Sequence, residues 1–532
     1  MTSSPRQYAS GADDPFTEAR ARRAARLIAL FLAAGAGLWA MVGSAWVLPQ
    51  LSANSDEGLY LLQAEALASG RLAPEAADTD AGSYRPWFSI ERDDRYVLKY
   101  SPVHASVLAT ADVATGSHRP ALGAIAAAQV VLVVALAREL GARRRAALAA
   151  GALFALAPLA LQLNITYLSY GTSLALLLAA TTSAARAWRT GSRLASVAAG
   201  LCWGLALFAR PYDAALMGVA VVIAAGVVVV RGRDGQWPRL APLAGLAVVG
   251  ALVPTVALLA FNHTMTGDAL RLPFRLLEPR DGPGLGLRRS LPTDAFLDYT
   301  LGRAASSFAR NLLLVSAWGA GGLLGAALAV ATLVRRRLRG GPLIVAVLVV
   351  WSVGYALFWG SYVASFLWDG ALFLGPFYYL PMVAMLAIPA AVALDDLWRW
   401  RPAVAAVAVL GAGALVLAVV VPRLIEQHDR SEPRSEVASV VARDIDGPAL
   451  VFVPPLYGPF LQNPLSFLRN APGLDGPVLY ALDRGAEVNR RVQAAHPGRR
   501  AYRLVLPSGW NDQPGFDPRP QVEPLPPSEA GP

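Results

Sequence analysis

The sequence holds a single cysteine, Cys202, inside an apolar run, so a disulfide framework and a cysteine-based metal site are both excluded. Charge is scarce too: 16% of the 532 residues are Asp, Glu, Lys or Arg, against 55% hydrophobic. That balance leaves more apolar sequence than one soluble core can bury, and lipid must take up the excess. Walker, HExxH and GxSxG motifs are absent, which removes ATPase, zinc-peptidase and serine-hydrolase readings. There is no repeat of about 20 to 50 residues and no inverted repeat of the transporter kind. The net charge of +10 does not point to nucleic acid, because the basic residues sit in short clusters between apolar runs rather than in a stripe interleaved with aromatics.

What is present is a series of apolar runs near residues 27–48, 119–137, 145–163, 168–188, 193–209, 213–230, 239–261, 310–334, 342–359, 371–394 and 402–421. About 20 residues of helix match a hydrocarbon core roughly 30 Å thick. The expectation is an all-α polytopic membrane protein of about eleven transmembrane helices. The first run follows the basic stretch Arg20–Arg26 and is longer than a secretory h-region, so it reads as an uncleaved span.

The connecting segments fix an orientation, because cytoplasmic loops carry the excess of Lys and Arg. With the amino terminus inside, the segments RARRAAR, ARELGARRR, RAWRTGSR, RGRDGQWPR, VRRRLR and LWRWR all fall on the cytoplasmic side. An odd number of spans then leaves the carboxyl terminus outside a cell membrane crossed many times. The domain plan is a cytoplasmic tail (1–26), a membrane domain (27–421) with external loops 49–118 and 262–309, a small extracytoplasmic α/β domain (422–513), and a Pro-rich, disordered tail (514–532). The runs Ala449–Val453 and Tyr502–Leu506 read as strands of that α/β unit.

Candidate chemistry lies on the external side. Asp56 and Glu57 open a stretch whose apolar spacing suits a helix on the membrane surface. A carboxylate there suits a general base acting on an acceptor hydroxyl, and it equally suits the cap of that helix. In Tyr96-Val97-Leu98-Lys99-Tyr100-Ser101-Pro102-Val103-His104, Lys99 suits either a phosphate or a lipid headgroup. Arg210, Pro211 and Asp213 lie between two apolar runs, where charges are costly unless paired or functional. His263 and Asp369, the latter near Gly375-Pro376-Phe377-Tyr378-Tyr379, complete the set; aromatic belts would account for the Tyr and Trp residues alone.

Four of these segments, in this order, resemble the GT-C superfamily of multispanning glycosyltransferases: Asp56-Glu57 with its helix, Lys99-Tyr100-Ser101-Pro102, Arg210-Pro211, and Phe261-Asn262-His263-Thr264-Met265-Thr266-Gly267-Asp268. The chain looks like the family 39-like subgroup of protein mannosyltransferases, aminoarabinose transferases and arabinofuranosyltransferases, and its Ala, Arg and Gly usage resembles actinobacterial members. The resemblance covers residues 27 to 400. It implies a polyprenyl-phosphate sugar donor, a glycan, lipid or protein acceptor outside the cytoplasm, Asp56 as catalytic base with Glu57 as neighbour or substitute, and Lys99 or Arg210 on the donor phosphate. Tyr100, His104, Asp213, His263 and Asp369 are the expected substrate contacts. Relatives often have Gly-Pro-Arg-Tyr-Tyr where this chain has Phe377, which takes a cation away. No cofactor is required, a divalent cation being optional because Lys and Arg suffice for a monophosphate leaving group. The rival from another class is a transporter or flippase for a lipid-linked sugar, which would place ionisable residues near span centres; here they gather at span ends and in loops.

Overall fold

Apolar runs become helices along most of the chain in the computed structural model, which describes residues 15–231, 237–290, 295–319, 321–335, 337–367, 374–455, 464–506 and 519–526. A long first helix, α1 (Pro15–Trp46), leads into an external segment made of α2 (Asp56–Ala68), the hairpin β1 (Ser89–Arg92) and β2 (Arg95–Leu98), and α3 (Pro102–Thr115). The membrane helices continue with α4 (Arg119–Glu139), α5 (Arg144–Ala155), α6 (Pro158–Leu163), α7 (Tyr170–Thr190), α8 (Arg193–Ala209), α9 (Pro211–Arg231) and α10 (Trp237–Thr266).

A second external segment holds α11 (Pro273–Leu277) and the hairpin β3 (Gly286–Ser290) and β4 (Ala295–Tyr299). Then follow α12 (Leu301–Trp318), α13 (Gly322–Val334), α14 (Gly341–Ala356), α15 (Trp359–Phe366), α16 (Leu380–Trp400) and the 43-residue α17 (Pro402–Asp444). The chain closes with β5 (Ala449–Val453), β6 (Val478–Leu482), α18 (Ala486–Ala494), β7 (Arg500–Val505) and β8 (Gln521–Pro524).

Each of the eleven apolar runs has most of its described residues on helix, yet not every helix is a plain span. Among the described residues six are long and apolar enough to cross a bilayer, or up to eight if the bent pairs α12–α13 (102°) and α14–α15 (80°) each count as one. The 145–163 run is broken at Leu156–Ala157, where Pro158 starts α6 afresh. The chain is thus a multi-pass membrane protein. Its outer helix faces carry exposed Phe31, Val222, Val253, Leu410 and Leu417, side chains that bilayer lipid covers.

Helix α16 forms the centre: Met382, Val383, Ala384, Met385, Ala387 and Ile388 are almost wholly buried among α5, α13, α14 and α17. Small residues let other helices approach backbone to backbone. A Cβ on Gly200 of α8 would stand 1.7 Å from the Ala247 carbonyl oxygen of α10, and one on Gly250 of α10 would stand 2.1 Å from that of Val197. Without a hydrophobic drive between helices in lipid, such close packing is a main source of their association.

The carboxyl-terminal sheet has the order β6-β5-β7-β8, with β5 parallel to both neighbours and β8 antiparallel to β7. Strand β5 is buried along its whole length, as a central strand should be. Within the tail expected to be disordered, Gln521–Pro524 forms the edge strand; residues 527–532 lie outside the described residues, as do 514–518. Helix α17 runs unbroken through the boundary expected at 421, so the last membrane helix is also the stem of the sheet.

The sheet corrects the expectation for α2. That helix does not lie on the lipid surface; it is packed on two sides. Tyr60, Leu61 and Ala64 join the membrane-helix core, while Leu59 and Leu62 cluster with Leu450, Phe452, Leu479 and Ala481 of the sheet. A Cβ on Gly58 would stand 1.9 Å from the carbonyl oxygen of Ser466, so only glycine fits there. Ion pairs Arg469–Glu65 (2.8 Å) and Arg491–Asp80 (3.1 Å) and the Tyr84–His496 hydrogen bond (2.8 Å) join the two units. Burial pushes the Glu65 carboxyl up, and Arg469 and His118 outweigh it, so its pKa ends below the usual value.

Candidate active site

A cavity of about 220 Å³ opens where the amino ends of α2 and α9 meet the second external segment. Asp56, Lys99, Tyr100, Arg210 and Asp213, five of the nine expected site residues, line it together. They come from three separate stretches of chain, and each stands next to a helix start: Asp56 opens α2, Lys99 precedes α3, and Arg210 and Asp213 flank the first turn of α9. Pro211 at that start breaks the helix, ending α8 and letting Arg210 turn toward the cavity.

Asp56 is partly buried. Its Oδ2 accepts a hydrogen bond from the Tyr100 hydroxyl at 2.6 Å. Burial, reinforced by the negative charge of Asp56, pushes the Tyr100 phenol well above its usual pKa, so it stays protonated and remains a donor. The Tyr100 ring stacks on Tyr60 with centroids 4.7 Å apart, and the Tyr60 hydroxyl meets Ser169 Oγ at 2.7 Å. Arg210 closes this chain of contacts, with Nη1 donating to Ser169 Oγ at 3.3 Å.

Arg210 also donates through Nε to Asp213 Oδ2 at 2.7 Å, and its guanidinium lies 4.1 Å above the Tyr170 ring. Asp213, itself buried, accepts further bonds from Ser173 and from the Tyr355 hydroxyl. Lys99 Nζ sits 4.4 Å over the Phe88 ring and 3.9 Å from Asp281 Oδ2, whose other oxygen accepts from Trp359 Nε1 at 3.2 Å. The two cations are thus held by a carboxylate and an aromatic face each, an arrangement that keeps charge in a poorly solvated place.

Three expected residues lie elsewhere. Glu57 follows Asp56 on the helix and so points about 100° away. It is fully buried, with Oε1 accepting from Ser52 N at 3.1 Å and from Ser52 Oγ, and Oε2 accepting from Tyr167 N at 2.8 Å. Burial pushes its pKa up, and its bonds anchor α2 to the α6–α7 connection rather than facing the cavity. His104 is buried between the Tyr167 carbonyl and Thr172, both at 2.8 Å, and burial pushes its pKa down to about 4. His263 is exposed on α10, while the neighbouring Asn262 lines the cavity. Asp369 lies outside the described residues.

Several lining residues went unread in the sequence. Asp281, Tyr170, Tyr355 and Trp359 carry no local motif. Phe377, at the position where the resemblance leads one to expect a cation, lines the wall and packs 5.2 Å from Tyr170, the ring beneath Arg210. Ser55 Oγ and Asn262 Oδ1 are buried without hydrogen-bond partners among the described residues, and both residues line the cavity. One signal was there to be found: Lys99 is the only lysine in the chain, every other strong cation being arginine. Among the described residues no group of three or more His, Cys, Asp or Glu side chains is placed to hold a metal ion.

Compared with solved structures, the chain is similar to ArnT from Cupriavidus metallidurans in the apo state, with 17% identity and a TM-score of 0.61, covering 94% of this chain and 98% of that one. The structure of the same protein bound to undecaprenyl phosphate gives 16% identity and a TM-score of 0.58 over the same shares. The chain has the ArnT fold. The likeness is one of fold. Residues 449–530, which span the sheet, match a family described as "Domain of unknown function (DUF7846)". No curated protein gives a significant match.

Proposed function

We propose that this protein is a glycosyltransferase that moves a sugar from a polyprenyl-phosphate donor to an acceptor on the extracytoplasmic side, with its amino terminus in the cytoplasm. The observation that carries the reading is the meeting of Asp56, Lys99 and Arg210 in one partly apolar cavity at the end of the membrane helices. ArnT, whose fold the chain shares, has been crystallised with undecaprenyl phosphate. The unpartnered Ser55 Oγ and Asn262 Oδ1 add polar atoms that suit sugar hydroxyls, since buried polar atoms without partners are rare.

In this reading the acceptor hydroxyl gives its proton to Asp56 as its oxygen attacks the anomeric carbon. The bond from that carbon to the phosphate oxygen breaks, the configuration inverts, and the polyprenyl phosphate leaves with the electron pair. Arg210 and Lys99 offset the charge growing on the phosphate. Tyr100 holds Oδ2 of Asp56 and leaves Oδ1 for the incoming proton. A base of this kind contributes roughly 10²- to 10⁴-fold, and positioning and charge stabilisation supply more. The transmembrane segments bring a donor with a lipid tail to the cavity directly from the bilayer.

The test offers radiolabelled polyprenyl-phosphate sugars and membrane extract to the purified full-length protein and to Asp56→Asn. Label transferred by the parent and lost by a folded variant supports the reading. A parent that transfers nothing from any donor overturns it in favour of a transporter.

A further inference from the structure

A second and larger cavity, about 1320 Å³, lies at the opposite end of the same helices. Tyr170 at the start of α7 lines the first cavity, and Trp188 and Arg189 at its end line the second. The 21 residues of α7 span about 30 Å, one bilayer core. Helices α9 and α14 repeat the pattern, Asp213 and Tyr355 facing the first cavity and Val228 and Leu343 the second. The second cavity therefore belongs to the other membrane face.

Its chemistry is two-sided. Arg138, Arg189, Arg193 and Arg339 stand at the rim with Glu139 as the carboxylate among them. These arginines come from three of the basic connecting segments, brought together by the fold. Glu139 is taken up by Arg189 through bonds of 2.8 and 3.3 Å, and Arg138 donates to the Ala142 carbonyl at 2.6 Å. Arg193 and Arg339 have no ionic partner among the described residues. Val228, Leu240, Leu246 and Leu343 make the walls apolar, and Trp188 stands half-exposed among them.

We propose that this groove binds one anionic diacyl phospholipid, its phosphate held by Arg193 and Arg339 and its acyl chains lying along α9 and α10. Paired guanidinium groups match phosphate oxygens in geometry and charge, and basic pockets between membrane helices select anionic headgroups over zwitterionic ones. The volume accommodates two chains, and the apolar wall excludes a free phosphate ion as the preferred occupant. The site is separate from the chemistry proposed for the other face and stands whether or not that chemistry does.

The test is native mass spectrometry of the full-length protein offered phosphatidylglycerol, phosphatidylcholine and undecaprenyl phosphate together. Phosphatidylglycerol should be retained preferentially, and the double variant Arg193→Gln/Arg339→Gln should lower its occupancy at least about tenfold, while Arg210→Gln on the other face leaves it unchanged. Equal retention by parent and double variant, equal retention of phosphatidylcholine, or loss of undecaprenyl phosphate in place of phosphatidylglycerol each overturns the proposal. Should the double variant not fold, phosphatidylglycerol with brominated chains gives an independent reading. It should quench a component of the tryptophan fluorescence that Trp188→Phe lacks, and identical quenching in the two proteins overturns the assignment.

Discussion

The Tyr100 hydroxyl donates to the Asp56 carboxylate at 2.6 Å, linking the residue that starts α2 to a residue two places ahead of α3. Because the phenol is held protonated by burial and by Asp56 itself, the bond persists across the working pH range. Tyr100→Phe removes it while keeping the ring that stacks on Tyr60. Turnover should fall about tenfold, the worth of one hydrogen bond to a charged group, against a loss of roughly 10²- to 10⁴-fold in Asp56→Asn. Steady-state transfer assays on the two variants check the ranking, and equal losses would remove Tyr100's positioning role.

A chain with one lysine allows that lysine to be watched directly. Reductive methylation with a ¹³C label should give one side-chain dimethylamine resonance, from Lys99, beside that of the amino terminus. Addition of a polyprenyl phosphate should shift the Lys99 signal and slow its modification. Lys99→Gln should weaken donor binding at least about tenfold, consistent with losing a charge-assisted contact to phosphate. A resonance that ignores the donor would take Lys99 out of the site.

His104 gives a pH dependence whose sign follows from its burial. Its folded pKa is about 4, below the ordinary value near 6.5, so the unfolded chain takes up the proton first. Stability from keeping it neutral is fully present above pH 6.5 and is lost as pH falls from there to 4, by roughly 3 kcal/mol. Thermal unfolding of the parent minus that of His104→Gln, followed across this window, isolates the effect. A constant difference would show that the ring is not held neutral.

Gly58 reports on the contact between α2 and the sheet. Since a Cβ there meets the Ser466 carbonyl, Gly58→Ala must push the two apart and should cost about 1–3 kcal/mol. Faster proteolysis of the carboxyl-terminal unit, together with reduced transfer activity, is the expected pair of readouts. An unchanged unfolding midpoint would mean that the units yield without cost.

The legible parts of this protein were those written locally. Each apolar run became mostly helix among its described residues, and Ala449–Val453 and most of Tyr502–Leu506 became strands, because burial period and turn residues are properties of neighbours in sequence. Asp56, Lys99, Tyr100, Arg210 and Asp213 meet in one cavity because each sits at or near a helix start at the same end of the helices. What was missed depends on rotation and on distance along the chain. Glu57 and His263 differ from Asp56 and Asn262 by one helical step, about 100°, and a sequence window cannot say which of two adjacent residues faces in. Asp281, between α11 and β3, and Tyr355, at the end of α14, reach the cavity only through the packing of segments distant in sequence. The burial of α2 between two layers requires partners more than 380 residues away, which no local pattern announces.

That last contact sets a schedule for biosynthesis. Helix α2 leaves the ribosome among the first elements, but the surface that covers Leu59 and Leu62 belongs to Leu450, Phe452, Leu479 and Ala481, among the last. At about 5–20 residues per second, the cell waits roughly 20–80 s between making the helix that carries Asp56 and making its lid. During that interval the apolar face of α2 that meets the sheet is uncovered. The cavity that holds Asp56 is therefore completed only as translation nears its end, and a chain stopped at the stem helix keeps every membrane span while leaving α2 half-dressed.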